Sequence, residues 1–111
     1  MFKVDYNKKI TITEGDTGYL KLSIPNYKIA PGDTIYFRVK AKDHGYLFQK
    51  VVTGEEHIEN GMATIKIEPQ DTKSKELGVY LYDIQLTREN KDIFTVVGPR
   101  NFEIMEGITN E

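Results

Sequence analysis

Apolar and polar residues alternate one by one along most of this chain, and the three-to-four-residue spacing of an amphipathic helix is nearly missing. The clearest run spans residues 34–42, where Ile35, Phe37, Val39 and Ala41 alternate with polar or amphipathic side chains. Successive side chains of a β-strand point to opposite faces, so this spacing predicts a strand with one buried face. The same period of two recurs in residues 9–13, 19–24, 62–68 and 78–88.

Turn-forming residues separate these runs. Gly15, the sequence Pro31-Gly32-Asp33 and the pair Asn60-Gly61 each stand between two of them. Such residues favour turns because proline presets φ and glycine accepts positive φ. The polar segment 69–76 begins with a proline and is too short for a packed helix, so we expect a loop with one helical turn.

Seven or eight short strands follow from this division. Residues 46–53 are expected to form a hairpin with the preceding strand after a turn at Asp43-His44-Gly45, and the last two strands are expected over 93–97 and 101–105. Strands of this length with frequent turns are typical of an all-β, antiparallel, immunoglobulin-like β-sandwich, with a small closed barrel as the alternative. We expect one domain over residues 1–105 and a polar tail over 106–111.

The parity of the alternating strands also predicts the core. Its expected members are Leu20, Leu22, Ile35, Phe37, Val39, Ile65, Ile67, Tyr82, Ile84 and Phe102. Tyr80 follows the 69–76 loop closely, where the tyrosine corner of an immunoglobulin-like sandwich would lie. We therefore expect its hydroxyl to bond to the backbone of residues 71–76, against the alternative that Tyr80 is an ordinary core aromatic.

Composition excludes several classes of function. The 111 residues are 39% hydrophobic and 29% charged, which is typical of a soluble globular domain. The chain has no cysteine, so disulfides, thiolate metal sites and cysteine nucleophiles are excluded. A formal net charge of −2, with both signs spread along the chain, does not favour nucleic-acid binding. The N-terminus lacks the apolar run of a signal peptide, which favours folding in a reducing cytoplasm.

No residue pattern indicates catalysis, a cofactor or a bound metal. His44 and His57 lie near turns without further converging ligands, so both are interpreted as solvated loop residues. The Gly-Asp-Thr sequence occurs twice, at 15–17 and 32–34, but it lacks the regular oxygen-ligand spacing of a calcium loop. Aspartates that cap their own turns explain both copies better. The chain is therefore expected not to be an enzyme.

One sheet face stands out as a candidate protein interface. In an immunoglobulin-like sandwich, the strands that contain Tyr36 and Tyr82 belong to one sheet. Their outward positions place apolar side chains close to tyrosine and arginine, and tyrosine and arginine are the types enriched in binding hot spots. We expect Tyr36 and Leu81 to act as anchors and Arg38 or Asp83 to fix orientation. The alternative is that residues 46–53 or an N-terminal segment cover this face within the chain.

Five segments, taken in order, resemble the N-terminal domain of phage baseplate upper proteins and short related phage or prophage structural proteins of Gram-positive hosts. They are 12–18 (ITEGDTG), 31–40 (PGDTIYFRVK), 47–50 (LFQK), 68–72 (EPQDT) and 78–86 (GVYLYDIQL). The resemblance implies an immunoglobulin-like sandwich that serves as a building block of the virion and has no catalytic residues.

The expected function is accordingly that of a non-enzymatic tail or baseplate component, made in the cytoplasm of the bacterial host and located in the virion. Its expected partners are other phage structural proteins or further copies of itself, with no nucleic acid, membrane or cofactor. The alternative is a carbohydrate-binding β-sandwich module, because exposed tyrosines can stack on sugars. A strip of coplanar exposed tyrosines beside Asn, Asp or Gln would favour that alternative.

Overall fold

The computed structural model describes residues 1–41 and 45–107. Within this part of the chain the elements are β1 (Phe2–Val4), β2 (Ile10–Thr13), β3 (Gly18–Leu22), β4 (Thr34–Lys40), β5 (Tyr46–Thr53), β6 (Ile58–Glu59), β7 (Met62–Ile67), α1 (Pro69–Thr72), β8 (Gly78–Thr87) and β9 (Ile93–Met105). Strands account for 60% of residues and helix for 4%. The expected loop with one helical turn at 69–76 is confirmed as α1.

The strands form two sheets that pack as a sandwich, which confirms the predicted fold class. One sheet has six strands in the order β1-β2-β9-β8-β4-β5, and the other has three in the order β3-β7-β6. Of the strand pairs in the described residues, only β2 and β9 run parallel, with Ile10 opposite Phe102 and Thr13 opposite Met105. The larger sheet is therefore wider than the smaller one that packs on it.

The core lies between the sheets where the alternation predicted it. Every predicted core residue is buried except Leu20, which is partly exposed and packs against the core. At its centre the ring of Phe37 lies 5.4 Å from that of Tyr82 and 6.2 Å from that of Phe102, measured between centroids. Offset and edge-on contacts of this kind stabilise an aromatic cluster beyond the burial of its area.

The segment around α1 connects the two sheets and is held by several contacts, so we call residues 68–76 the α1 loop. The Tyr80 hydroxyl donates a hydrogen bond to the Glu76 carbonyl oxygen at 2.6 Å, which confirms the predicted tyrosine corner. The buried Thr72 hydroxyl oxygen accepts a hydrogen bond from the Gly15 amide at 2.9 Å. On the other side the Lys50 ammonium lies 2.6 Å from the Asp71 carboxylate.

Three strands differ from the expectation. β9 continues through Gly98 and Pro99, where a break between two strands was expected. Its register against β8 shifts on either side of Ile84, and a proline is tolerated at such an irregularity because no ladder hydrogen bond is required of it. β1 and β6 were not expected, since their three and two residues are too few to show a period. The expected turn at Asp43-His44 and the tail beyond residue 107 lie outside the described residues.

Candidate functional site

The four residues singled out as a candidate interface come together on the outer face of the six-stranded sheet. β4 and β8 are neighbours, and their register sets Arg38 opposite Asp83, Tyr36 opposite Gln85, and Lys40 opposite Leu81. Strand β5 continues the same rows on the other side of β4, because Arg38 also lies opposite Gln49 and Lys40 opposite Tyr46. We call these eight residues the outer patch.

Arg38 is the centre of the outer patch and is held from four directions. Its Nε donates a hydrogen bond to Gln49 Oε1 at 2.9 Å, and its Nη1 donates one to Gln85 Oε1 at 3.1 Å. The guanidinium carbon lies 5.1 Å from the ring centroid of Tyr36 and 5.7 Å from that of Tyr46, within cation–π range. These contacts fix the side chain before any partner arrives, which lowers the entropy cost of binding.

Arg38 keeps its positive charge available. Within residues 1–41 and 45–107, no carboxylate lies within ion-pair distance of its guanidinium or of the Lys40 ammonium. Both of its hydrogen-bond partners are neutral amides, so the positive charge is not neutralised by the side chains that orient it. The outer patch therefore presents an oriented cation at its centre.

Asp83 provides the complementary feature. Its Oδ1 atom is buried, and no group in the described part of the chain donates a hydrogen bond to it. Asp83 faces a pocket of about 60 Å³ whose wall includes Arg38, Lys40, Leu81 and Pro99. A buried acceptor without a donor is unfavourable by about 1–3 kcal/mol, so an N–H or O–H group in this pocket is stabilised if the Asp83 side chain turns towards it.

The irregular stretch of β9 lies beside Asp83. The register places Tyr82 opposite Arg100 and Ile84 opposite Val97, so Asp83 lies beside Gly98 and Pro99. The bulge thus leaves an acidic side chain at a small opening, whose wall includes Pro99, in an otherwise regular sheet.

The alternative that residues 46–53 or an N-terminal segment cover this face is wrong. β5 pairs beside β4 in the same sheet, and the N-terminal strands β1 and β2 lie beyond β9. Tyr36, Arg38 and Leu81 are partly exposed. The sequence interpretation did not single out Lys40, and it missed Tyr46 and Gln49 because the buried face of residues 46–53 was ambiguous. The β4–β5 register resolves it, since Val52 is buried and Val51 is exposed.

The other candidate chemistry has structural explanations. Asp33 is buried and accepts hydrogen bonds from the Tyr27 hydroxyl at 2.6 Å and the Ala30 amide at 3.0 Å, so it caps its own turn as expected. The hydrogen bond to Asp33 raises the pKa of Tyr27. His57 is exposed, and His44 lies outside the described residues. The described residues contain no group of three or more His, Cys, Asp or Glu arranged to hold a metal ion. Nor do they include a helix of the length and apolarity that a membrane span requires.

No family model matches this chain. No curated protein matches it either. Among solved structures, the chain is similar to CopC from Methylosinus trichosporium OB3b, with a TM-score of 0.54 and 8% identity over 91% of this chain and 87% of that one. At this identity the likeness shows the fold alone, a β-sandwich.

This comparison corrects the function expected from the sequence. The resemblance to phage baseplate proteins implied a structural role in a virion, whereas a solved structure to which the chain is similar is CopC from Methylosinus trichosporium OB3b, which is not a phage protein and points away from that role. Short segments of alternating residues between turns recur in many sandwiches, because the fold itself requires them. Their order was therefore a guide to the fold and not to a place in a phage particle.

Proposed function

We propose that this protein is a non-enzymatic binding module whose outer patch docks a partner protein through a side-chain amide, from Asn or Gln, inserted over Asp83. The observation that carries the proposal is the buried Asp83 Oδ1 without a donor, next to the oriented guanidinium of Arg38. An amide offers an N–H to Asp83 and a carbonyl oxygen to Arg38 or Lys40 at the same time.

The charges around the pocket favour a neutral group. A lysine or arginine from a partner would meet Arg38 and Lys40, and an acidic side chain would meet Asp83. The pocket, of about 60 Å³, has room for a small polar group. Tyrosine and arginine, which lie beside it, are among the side chains that supply most binding energy in protein interfaces.

The arrangement of the tyrosines supports a protein partner over a glycan. A sugar-stacking platform needs free ring faces, but the Arg38 guanidinium lies over the rings of both Tyr36 and Tyr46. The role of these two tyrosines is therefore to orient Arg38, and not to stack on a sugar. The pocket also supports binding over catalysis, because among its described lining residues there is no nucleophile with an adjacent general base.

Site-specific photo-cross-linking in the native host tests the proposal. A benzophenone amino acid placed at Leu81 is expected to give a discrete adduct with one protein, which mass spectrometry identifies. The same amino acid at Met62, which is 39% exposed on the outer face of strand β7 in the other sheet, is the matched control and is expected to give no such adduct.

The partner is then purified and its affinity measured. The double variant Tyr36→Ala with Leu81→Ser is expected to bind it at least tenfold more weakly, and Met62→Ala to bind it unchanged. Equal cross-linking from both positions, or an unchanged affinity of the double variant, contradicts the proposal. If the protein binds a sugar on a glycan array and Tyr46→Ala abolishes that binding, the ligand of the outer patch is a glycan and the proposal of a protein partner is wrong.

A further inference from the structure

One side of the sandwich is open. β3 is an edge strand that, within the described residues, pairs only with β7, so the main-chain groups on its other edge face no strand. The six-stranded sheet extends past this edge, and part of its inner face over β8 and β9 is left uncovered. Phe94 demonstrates this, because it lies opposite the buried Leu86 on the inner face and is still 48% exposed.

Two adjoining cavities fill the space between β3 and β9. The first has a volume of about 460 Å³ and includes Leu22 and Ile84 in its wall, and the second, of about 280 Å³, includes Leu86 and Phe94. Ile24 and Val96 line both, so the two cavities adjoin, and we call them together the edge groove. Its floor is apolar, and one wall is the free edge of a β-strand.

The charged side chains along the edge groove all have the same sign. Lys8 and Lys21 line the first cavity and Arg88 lines the second, while no carboxylate lines either of them. In the described part of the chain none of the three forms an ion pair with a carboxylate. Arg88 lies over the ring of Tyr27, 5.3 Å from its centroid, which keeps it at the rim.

From these features we propose that the edge groove accepts an extended segment of a partner protein that alternates apolar with acidic residues. The segment adds to the three-stranded sheet by main-chain hydrogen bonds to β3, as in other cases of strand addition. Alternate side chains then point to opposite faces, so the apolar ones enter the two cavities and the acidic ones face Lys8, Lys21 and Arg88. This surface is separate from the outer patch, and it does not depend on the function proposed above.

The charges also exclude the simplest alternative occupant, which is the β3 edge of a second copy. Pairing two β3 strands would bring Lys21 of each copy close to basic residues of the other, and like charges across strands are destabilising. A lysine on an edge strand commonly prevents such self-association. Here the same lysine selects for a strand of opposite charge.

A synthetic peptide tests the proposal without knowledge of the natural partner. The probe is a peptide of about eight residues that alternates glutamate with valine or isoleucine, long enough to span β3 and its flanks. We expect saturable binding in a fluorescence anisotropy titration. We also expect slower hydrogen exchange of main-chain amides in β3, but not in the edge strands β1 and β5.

Two changes of charge sharpen the test. Lys21→Glu is expected to weaken binding of the glutamate peptide at least tenfold and to admit a peptide with lysine in place of glutamate. Lys66→Glu is the matched control. Lys66 is exposed, like Lys21, but it lies on β7, the central strand of the three-stranded sheet, so its substitution is expected to have little effect. Both substitutions are at exposed positions, so folding of each variant can be confirmed by circular dichroism.

Several outcomes would overturn the proposal. These are no saturable binding, equal binding of a peptide whose central residue is proline, protection on β1 or β5 in place of β3, or equal effects of the two lysine substitutions. A dimer of the free protein whose interface protects β3 would identify a second copy as the occupant and would contradict the acidic partner.

Discussion

The two long sides of the sandwich differ in how they are closed. On the β5 side Lys50 points inward from the larger sheet and lies 2.6 Å from Asp71 and 3.3 Å from Glu68 in the α1 loop. On the β3 side no hydrogen bond or ion pair among the described residues joins β3 to β9, and apolar side chains line the edge groove. The fold therefore ties one side with polar contacts and leaves the other side more open.

The largest expected effect is the difference in stability loss between a substitution in the core and one on the open side. Phe37 is fully buried under the aromatic cluster, so Phe37→Ala should lower the free energy of unfolding by about 3–5 kcal/mol. Phe94→Ala removes a similar ring from the edge groove and should lower it by less than about 1 kcal/mol, because the ring is half exposed. Chemical denaturation of both variants measures the difference, and equal losses would mean that the groove is part of the core.

The next effect concerns the closed side. Tyr80→Phe leaves the Glu76 carbonyl oxygen without its 2.6 Å donor, and we expect a loss of about 1–3 kcal/mol. Tyr6→Phe is the matched control, since Tyr6 is 92% exposed, and it should leave the denaturation midpoint unchanged. If the two variants unfold at the same midpoint, the tyrosine corner does not stabilise the α1 loop.

A smaller effect is expected from the ion pair that joins β5 to the α1 loop. Asp71→Asn removes the charge opposite Lys50 and weakens the acceptor for the Glu68 amide, which donates to Asp71 Oδ2 at 2.7 Å. We expect a loss of about 1 kcal/mol that shrinks in high salt. Glu103→Gln breaks the more exposed 2.9 Å pair with Lys9 and should lose about 0.5 kcal/mol or less. The reverse order, measured by denaturation at low salt, would mean that Lys50 does not close this side.

The last effect depends on pH and lies in the floor of the open side. Burial raises the pKa of Tyr82 to about 12, above the ordinary value of about 10, and its hydroxyl donates a hydrogen bond to the Lys8 carbonyl oxygen. A folded-state pKa above the unfolded value contributes stability that is fully present below pH 10 and is lost as the pH rises towards 12. The midpoint of Tyr82→Phe, followed from pH 9 to 12, should therefore fall less steeply than that of the wild type. Parallel curves would contradict this role for Tyr82.

The alternation of residues was sufficient to predict most of the fold because burial on one face of a sheet imposes it locally. Ile35, Phe37 and Val39 are buried as their spacing predicts, and the long strand β8 begins at Gly78 as expected. The buried face of β5 was not predictable, because Val51 and Val52 are equally apolar. Only the register with β4, which depends on a bulge after Val39, decides between them.

The candidate site was predictable in part for the same reason. Tyr36, Arg38, Leu81 and Asp83 share an outward parity on two neighbouring strands, so their position on one face followed from the period of two. The pocket at Asp83 could not be predicted from this period, because it depends on the irregular pairing of β8 with β9 near Pro99. The edge groove could not be predicted either, since it results from the different widths of two sheets and not from any local pattern.

The parallel pairing of β2 with β9 determines how the domain responds to mechanical load. Tension applied through the residues before β2 and after β9 first peels β1, because β1 folds back on β2 as an antiparallel strand. It then pulls Ile10 and Met105 apart along the strand axis, since the two strands run in the same direction. The hydrogen bonds of this ladder are loaded together in shear and must break at the same time. The domain therefore resists stretching far more than a domain whose terminal strands are antiparallel and separate one hydrogen bond after another.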